Sequence, residues 1–154
     1  MKKTSYTLLF MFLASMAISQ TTDDYIEIMR SVLKTEKKAA IAEVMTLTEA
    51  EAELFWPLYN EFSGKMYTIQ SKRVKIIKDF AKSYEKMTDL KADELWTSYM
   101  AYKQESNKLT KQYYKKFKKI IPAGKAAKYF QAENKIATLV DFELAAEIPF
   151  IETE

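Results

Sequence analysis

The chain has 154 residues with 24 basic and 21 acidic side chains, and it contains neither histidine nor cysteine. The commonest general base, the commonest metal ligand and the thiol nucleophile are therefore all missing. A transition-metal site would have to use methionine sulfur and carboxylates, and the methionines are scattered along the sequence. We accordingly predict no catalytic residues, no metal site and no cofactor, and we do not expect an enzyme.

The first nineteen residues have the pattern of a signal peptide. A basic start precedes the apolar run Leu8–Ile18, and Ala17 and Ser19 supply the small side chains that a signal peptidase requires. The apolar run is shorter than the roughly 20 residues that span a bilayer. We predict cleavage between Ser19 and Gln20, export to the periplasm, and a single all-helical domain over residues 20–154.

Four helices are predicted in the exported part of the chain. The sequence holds only 2 glycines and 3 prolines, too few for the turns of a β protein, whereas Ala, Glu, Lys, Leu and Met are abundant. The helices are expected from Asp23 to Val44 with a cap at Thr22 or Asp23, and then over residues 49–87, 90–119 and 122–148. At about 1.5 Å per residue the second helix would be about 60 Å long. The expected fold is therefore all-α, an elongated and curved four-helix bundle.

Apolar side chains recur at helical spacing in the last three helices, which predicts the faces that meet in the core. On the second helix these are Phe55, Leu58, Tyr59, Phe62, Met66, Ile69, Ile76, Ile77, Phe80, Tyr84 and Met87. On the third they are Leu95, Tyr99, Tyr102, Leu109, Tyr113, Phe117 and Ile120. On the fourth they are Ala126, Phe130, Ile136, Ala137, Leu139, Val140 and Leu144.

The segment TLTEAEAELFWPLY at 46–59 concentrates carboxylates at a helix start. Thr48 and Glu51 have the spacing of a capping box, in which each side chain binds the backbone N–H of the other. Leu47 precedes the cap and can pack against the first turns, and the acidic side chains suit the positive end of the helix dipole. The cluster is thus predicted to start a helix. Pro57 lacks the N–H that would bind a carbonyl one turn earlier, and it predicts a bend.

The segment Leu47–Glu51, LTEAE, resembles the LTxxQ motif of the Spy/CpxP group of periplasmic proteins, with Glu51 in place of Gln. A second copy falls at Ile121–Lys125, where Pro122 replaces Thr and Lys125 replaces Gln; Pro122 is still suited to a helix start. The resemblance covers about residues 38–147. It implies a homodimer shaped like a curved cradle, whose basic concave face binds unfolded clients without ATP. Close relatives in the same superfamily act as metal-sensing or signalling inhibitors of envelope stress systems.

Charge is strongly segregated along the chain. Residues 65–128 carry 17 basic and 6 acidic side chains, whereas residues 129–154 carry 1 basic and 6 acidic ones. The segment KLTKQYYKKFKKII, residues 108–121, is the most basic, and large apolar groups lie beside its lysines. Such a surface suits clients that expose acidic and hydrophobic segments together, although a plain solvated face is the ordinary interpretation of a lysine run. The predicted client-binding residues are Arg73, Trp96, Met100, Lys108, Lys111, Tyr114, Lys115 and Lys118.

Arg73 has a second interpretation, because it interrupts the apolar stripe of the second helix. Its long aliphatic stem can be buried while the guanidinium pairs with an acid such as Glu133 or Asp141. In the alternative it grips client carboxylates on an open surface.

The predicted function is that of an ATP-independent, chaperone-like protein that binds unfolded or partly folded envelope proteins. The alternative is a regulatory role, in which the basic face docks on an envelope stress kinase and inhibits it. Nucleic acid is discounted as a partner, since an exported chain rarely meets it. A membrane surface carrying anionic lipid or lipopolysaccharide is less favoured than protein.

Overall fold

The computed structural model describes the backbone of residues 4–152 and the side chains of residues 24–152. All regular structure in these residues is helical, in agreement with the predicted all-α class. The helices are α1 (Thr4–Val44), α2 (Glu49–Ser83), α3 (Asp89–Phe117) and α4 (Ala123–Glu147), with a 3₁₀ turn at Tyr84–Lys86 between α2 and α3. The predicted signal peptide and its cleavage site lie outside the residues whose side chains are described.

The predicted helix ends agree with the structure to within a few residues, except at the start of α1. The backbone is helical from Thr4, so α1 has no cap at Thr22 or Asp23 and continues through both. The second helix ends at Ser83, four residues early, because a 3₁₀ turn takes up the remainder. The helix is continuous through Pro57. The predicted bend at that proline stays a prediction.

Threonine caps start two of the helices. Thr48 Oγ1 accepts from the Glu51 N–H at 3.3 Å, and the Thr48 N–H donates to Glu51 Oε2 at 2.8 Å, so the predicted capping box is confirmed. Thr88 caps α3 by accepting from the Lys91 N–H at 3.2 Å. Pro122 occupies the cap position of α4, where its missing N–H removes no helical hydrogen bond.

The chain divides into two compact units, residues 1–43 and residues 44–154. Within the first unit, α1 presents a stripe of apolar side chains to solvent. Its members follow the i, i+3, i+4, i+7 and i+8 spacing of one helix face and are 42 to 63% exposed: Tyr25, Ile28, Met29, Val32 and Leu33.

In the second unit α2 and α3 are antiparallel, and α4 runs parallel to α2. Phe55 meets Phe117, and further along α2 Phe62 meets Tyr113, so the residue numbers on α3 fall as those on α2 rise. On α4 the numbers rise instead, since Lys125 pairs with Glu51 and Asp141 pairs with Arg73. The starts of α2 and α4 therefore lie at the same end of this unit as the end of α3.

Large aromatic rings fill the space between the three helices at this end. No Cα of α4 comes within 8 Å of a Cα of α2, yet their rings touch: Phe55 and Tyr129 centroids are 5.1 Å apart. The rings of Phe117 and Tyr129 are 4.8 Å apart and join α3 to the same cluster. We call this group the aromatic core: Phe55, Tyr59, Phe62, Tyr113, Phe117, Tyr129 and Phe130.

Burial falls off sharply away from the aromatic core. On α2 the fully buried side chains end at Ile69, and on α4 they are only Ala126 and Tyr129. Three predicted core residues of α4, Ala137, Leu139 and Val140, are exposed, so this part of the prediction is wrong. The Leu139 side chain is 66% exposed. The prediction also omitted Tyr129, which is completely buried. The apolar pattern of α4 was extended over the whole helix, whereas only its first turns are packed on both neighbours.

Candidate binding surface

Several acidic side chains of the second unit form an ion pair with a lysine or arginine. These ion pairs join helices or successive helical turns and thereby remove several cations from the basic middle of the chain. They are Glu61 with Lys65 and Lys116, Glu105 with Lys72, Asp141 with Arg73, Glu94 with Lys91, and Glu51 with Lys125.

Arg73 belongs to this internal set. Its Nη1 donates to Asp141 Oδ1 at 2.6 Å, and its guanidinium lies 6.0 Å from the centre of the Tyr102 ring. The side chain is 19% exposed, as expected for an arginine whose stem is buried against a helix. Of the two interpretations, the structure supports the intramolecular pair, so Arg73 joins α2 to α4 and is not part of an open basic surface.

Glu61 is the centre of a small hydrogen-bonded group beside the aromatic core. Its Oε1 accepts from Tyr113 Oη at 2.5 Å, from Lys65 Nζ at 2.9 Å and from Lys116 Nζ at 3.2 Å. The bond from Tyr113, followed by those from the two lysines, lowers the pKa of Glu61 to about 2. The same phenol and carboxylate raise the pKa of Lys65 to about 12. The sequence did not indicate this group, because its members come from two different helices.

Buried hydroxyls occur inside the aromatic core itself. Burial, together with the nearby charge of Glu133, raises the pKa of Tyr59 to about 12 and raises that of Tyr129 further still. Both phenols therefore stay protonated at neutral pH, and this region is suited to packing.

A different set of lysines remains without acidic partners on the outer side of α3. Lys103, Lys108, Lys111 and Lys115 form no ion pair with any described residue. They line a shallow, open depression that also contains Met100 and the amides of Gln104, Asn107 and Gln112. Since Tyr102 and Tyr113 point into the core from the other side of α3, the depression faces solvent.

Two large apolar side chains precede these lysines on α3. Trp96 is 62% exposed and leans on Tyr99 with ring centroids 5.8 Å apart, and Met100 is 49% exposed one turn later. A tryptophan this open contributes little to folding, because most of its apolar area stays in water. We name the combined surface the α3 strip, which consists of Trp96, Met100, Lys103, Lys108, Lys111 and Lys115.

The structure thus divides the eight predicted client-binding residues into three places. Trp96, Met100, Lys108, Lys111 and Lys115 lie together on the α3 strip. Tyr114 and Lys118 lie at the end of α3 next to α4, where the Tyr114 ring packs on Phe130 at 5.7 Å and the Lys118 ammonium lies 5.0 Å from the Tyr114 ring. Arg73 is held by Asp141. Lys103 was not predicted, although its charge and spacing on α3 are visible in the sequence.

The two motif segments meet in the structure. Lys125 Nζ donates to Glu51 Oε2 at 2.5 Å, and the same oxygen accepts the Thr48 N–H of the capping box. Lys125, followed by the Thr48 backbone, lowers the pKa of Glu51. Glu51 and Lys125 are the two positions where the chain has a charged residue instead of the motif's Gln. The sequence signal was present as two opposite charges, but nothing in the spacing indicated that they would touch.

Neither a metal-binding cluster nor a membrane-spanning helix occurs among the described residues. In that part of the chain no three His, Cys, Asp or Glu side chains are grouped so that they could hold a metal ion. No helix there is both long enough and apolar enough to cross a membrane.

Comparisons with family models, with curated proteins and with solved structures find no match for this chain. The resemblance to the Spy/CpxP group therefore rests on the motif residues, and it stays a prediction.

Proposed function

We propose that this protein is a periplasmic, ATP-independent chaperone-like protein that binds unfolded or partly folded envelope proteins. The observation that supports this best is the α3 strip, which places four lysines without acidic partners beside an exposed tryptophan and methionine. Unfolded chains expose acidic and apolar groups together, and a shallow surface can contact both without a shape-specific pocket. The signal-peptide pattern of residues 1–19 supports export.

Capture would begin with electrostatic attraction and continue with weak apolar contacts. Lysines without acidic partners attract acidic segments from a distance and raise the rate of encounter. Trp96 and Met100 then cover apolar side chains of the client, and methionine adapts to varied shapes. Since none of these contacts is deeply buried, the client can leave again without an energy source.

The protein is further proposed to act as a curved, cradle-like homodimer, as the resemblance to the Spy/CpxP group implies. The apolar stripe on α1 supports self-association, because five large side chains at helical spacing are exposed to solvent. A second copy that covers the stripe would remove this area from water.

The test is light scattering from a chemically unfolded, acidic model client that is diluted into the purified protein without ATP. We expect suppressed aggregation at low salt and weaker suppression at about 0.5 M salt, where charges are screened within a few ångströms. The variant Lys108→Gln, Lys111→Gln, Lys115→Gln is expected to require on the order of tenfold more protein for equal suppression, from roughly 0.5 kcal/mol per lost contact.

The matched control removes three lysines from another surface. Lys75, Lys82 and Lys86 are exposed and form no ion pair with any described residue, so Lys75→Gln, Lys82→Gln, Lys86→Gln changes the net charge equally. The control is expected to suppress aggregation as well as the wild type does. If both variants lose suppression equally, net charge and not the α3 strip is responsible for client binding. If the wild-type protein does not suppress aggregation at several-fold excess, the chaperone function is rejected.

A further inference from the structure

The last part of the chain carries a second exposed surface with chemistry opposite to that of the α3 strip. Leu139, Phe142 and Phe150 are 66, 70 and 94% exposed. Exposed carboxylates lie among and beyond them, and none forms an ion pair with a described residue. We name this the tail surface, which consists of Leu139, Phe142, Glu143, Glu147, Phe150 and Glu152.

Helix stability does not account for the acids of the tail surface. Glu143 and Glu147 lie in the last two turns of α4, which has no basic residue in its last turn. Carboxylates at that end oppose the helix dipole, whose negative end is at the C-terminus. Their position is therefore unfavourable for the helix itself and calls for a partner that carries positive charge.

The two surfaces are similar in length and in the order of their apolar and charged residues, and their charges are opposite. The strip from Trp96 to Lys115 is about 28 Å long at 1.5 Å per residue. The tail surface has about 12 Å of helix from Leu139 to Glu147, and the five residues from there to Glu152 can reach up to about 17 Å further. Each begins with two large apolar side chains. Lysines follow on the strip, and carboxylates follow on the tail surface, where Phe150 lies between Glu147 and Glu152.

We propose that the tail surface of one copy docks on the α3 strip of a second copy, with the two segments parallel. Leu139 and Phe142 then cover Trp96 and Met100, while the carboxylates follow the line of lysines. The Arg73–Asp141 ion pair holds the distal turns of α4 beside α2, which disfavours their movement to the outer side of α3 in the same chain. Both surfaces are accordingly exposed within one chain and available to another.

This contact deepens the proposed function, since it would occupy the surface that captures clients. Part of the inference rests on that function: a docked tail would compete with acidic clients for the same lysines. The contact between copies itself stands independently of client binding. It also differs from pairing through the apolar stripe of α1, because it depends on charge and weakens as salt rises.

The test is a charge exchange followed by sedimentation velocity over a concentration series at low salt. Two triple variants are each expected to weaken self-association at least tenfold relative to the wild type. The tail variant is Glu143→Lys, Glu147→Lys, Glu152→Lys, and the strip variant is Lys108→Glu, Lys111→Glu, Lys115→Glu. Mixing the two variants is expected to restore it, because a reversed tail then meets a reversed strip. The variant Lys75→Glu, Lys82→Glu, Lys86→Glu is the control and is expected to associate like the wild type.

Three results would overturn the inference. One is association of the wild type that is unchanged at about 0.5 M salt. Another is a mixture that associates no better than its components. The third is a change in sedimentation on reversal of the tail charges that is the same at every protein concentration, which would indicate docking within one chain. Circular dichroism of each variant establishes that the helices are intact.

The light-scattering experiment separates the two proposals. Client suppression without salt-dependent self-association would reject this contact and keep the chaperone function. Self-association that the mixture restores, without suppression of client aggregation, would keep this contact and reject the chaperone function.

Discussion

The two ends of the three-helix unit are built on different principles. At the aromatic core, neighbouring rings from α2, α3 and α4 have centroids 4.8 to 6.3 Å apart, and several of the rings are completely buried. At the distal end, where α4 runs from about residue 131 to Glu147, no α4 side chain is fully buried. The same amphipathic helix thus supplies stability with its first turns and exposes apolar groups with its last.

This difference indicates which apolar residues maintain the fold and which are available to partners. Side chains at the aromatic core gain from burial and from ring contacts. Exposed rings at the distal end, such as Phe142, gain little from either. Substitutions that compare the two ends should therefore separate stability from binding.

The largest difference is expected for ring truncation. Tyr129→Ala is expected to lower the free energy of unfolding by about 3–5 kcal/mol, because it leaves a cavity among five neighbouring rings. Phe142→Ala is expected to change it by less than about 0.5 kcal/mol, since the ring is mostly in water. Urea unfolding followed by circular dichroism measures both. Similar losses in the two variants would show that the distal end is packed as tightly as the core.

A smaller effect is expected at the ion pair that holds the distal turns. Arg73→Ala removes the contact with Asp141 and the packing on Tyr102, and we expect a loss of about 1 kcal/mol. Hydrogen exchange should accelerate in residues 131–147 and stay unchanged at the start of α4. Lys72→Ala is the control, because the Lys72–Glu105 pair joins α2 to α3 and both side chains are about half exposed. Equal acceleration along all of α4 would contradict a local role for Arg73.

The smallest effect is expected from acid. The folded-state pKa of Glu61 is about 2, below its ordinary value of 4.5, so its contribution to stability is present above about pH 4.5 and is lost as pH falls toward 2. Glu61→Gln should flatten the decline in unfolding free energy over that range. The carboxylate is solvent-exposed, so the change will be modest. A wild-type and variant pair with parallel pH profiles would show that Tyr113 and the lysines do not stabilise the charged form.

The helices themselves could be predicted because their signals are local. Scarce glycine and proline and the Thr48–Glu51 spacing depend on neighbours within a turn or two, and the structure agrees with both. The predicted stripes on α2 and α3 are buried only in part, since burial on α2 ends at Ile69. The α4 core was mispredicted at Leu139 and Tyr129 for a physical reason. An apolar stripe shows which side chains of a helix could be buried together. How far the neighbouring helices pack along it determines which of them are buried.

The candidate site was only partly visible for a related reason. The lysines of α3 were recognised as one face, but which cations were already neutralised depended on acids far away in sequence. Arg73 is 68 residues from Asp141, and Lys116 is 55 residues from Glu61. Only the packed helices reveal that the outer side of α3 keeps its charge while the inner pairs cancel.

The contact between Glu51 and Lys125 has a consequence for recognising such chains by pattern. A pattern that demands glutamine at both positions counts two independent mismatches. In three dimensions the two residues are partners at adjacent helix starts, so the charge of each is compensated by the other. Scoring the two positions jointly would count this contact as one compensated difference from the proposed motif instead of two.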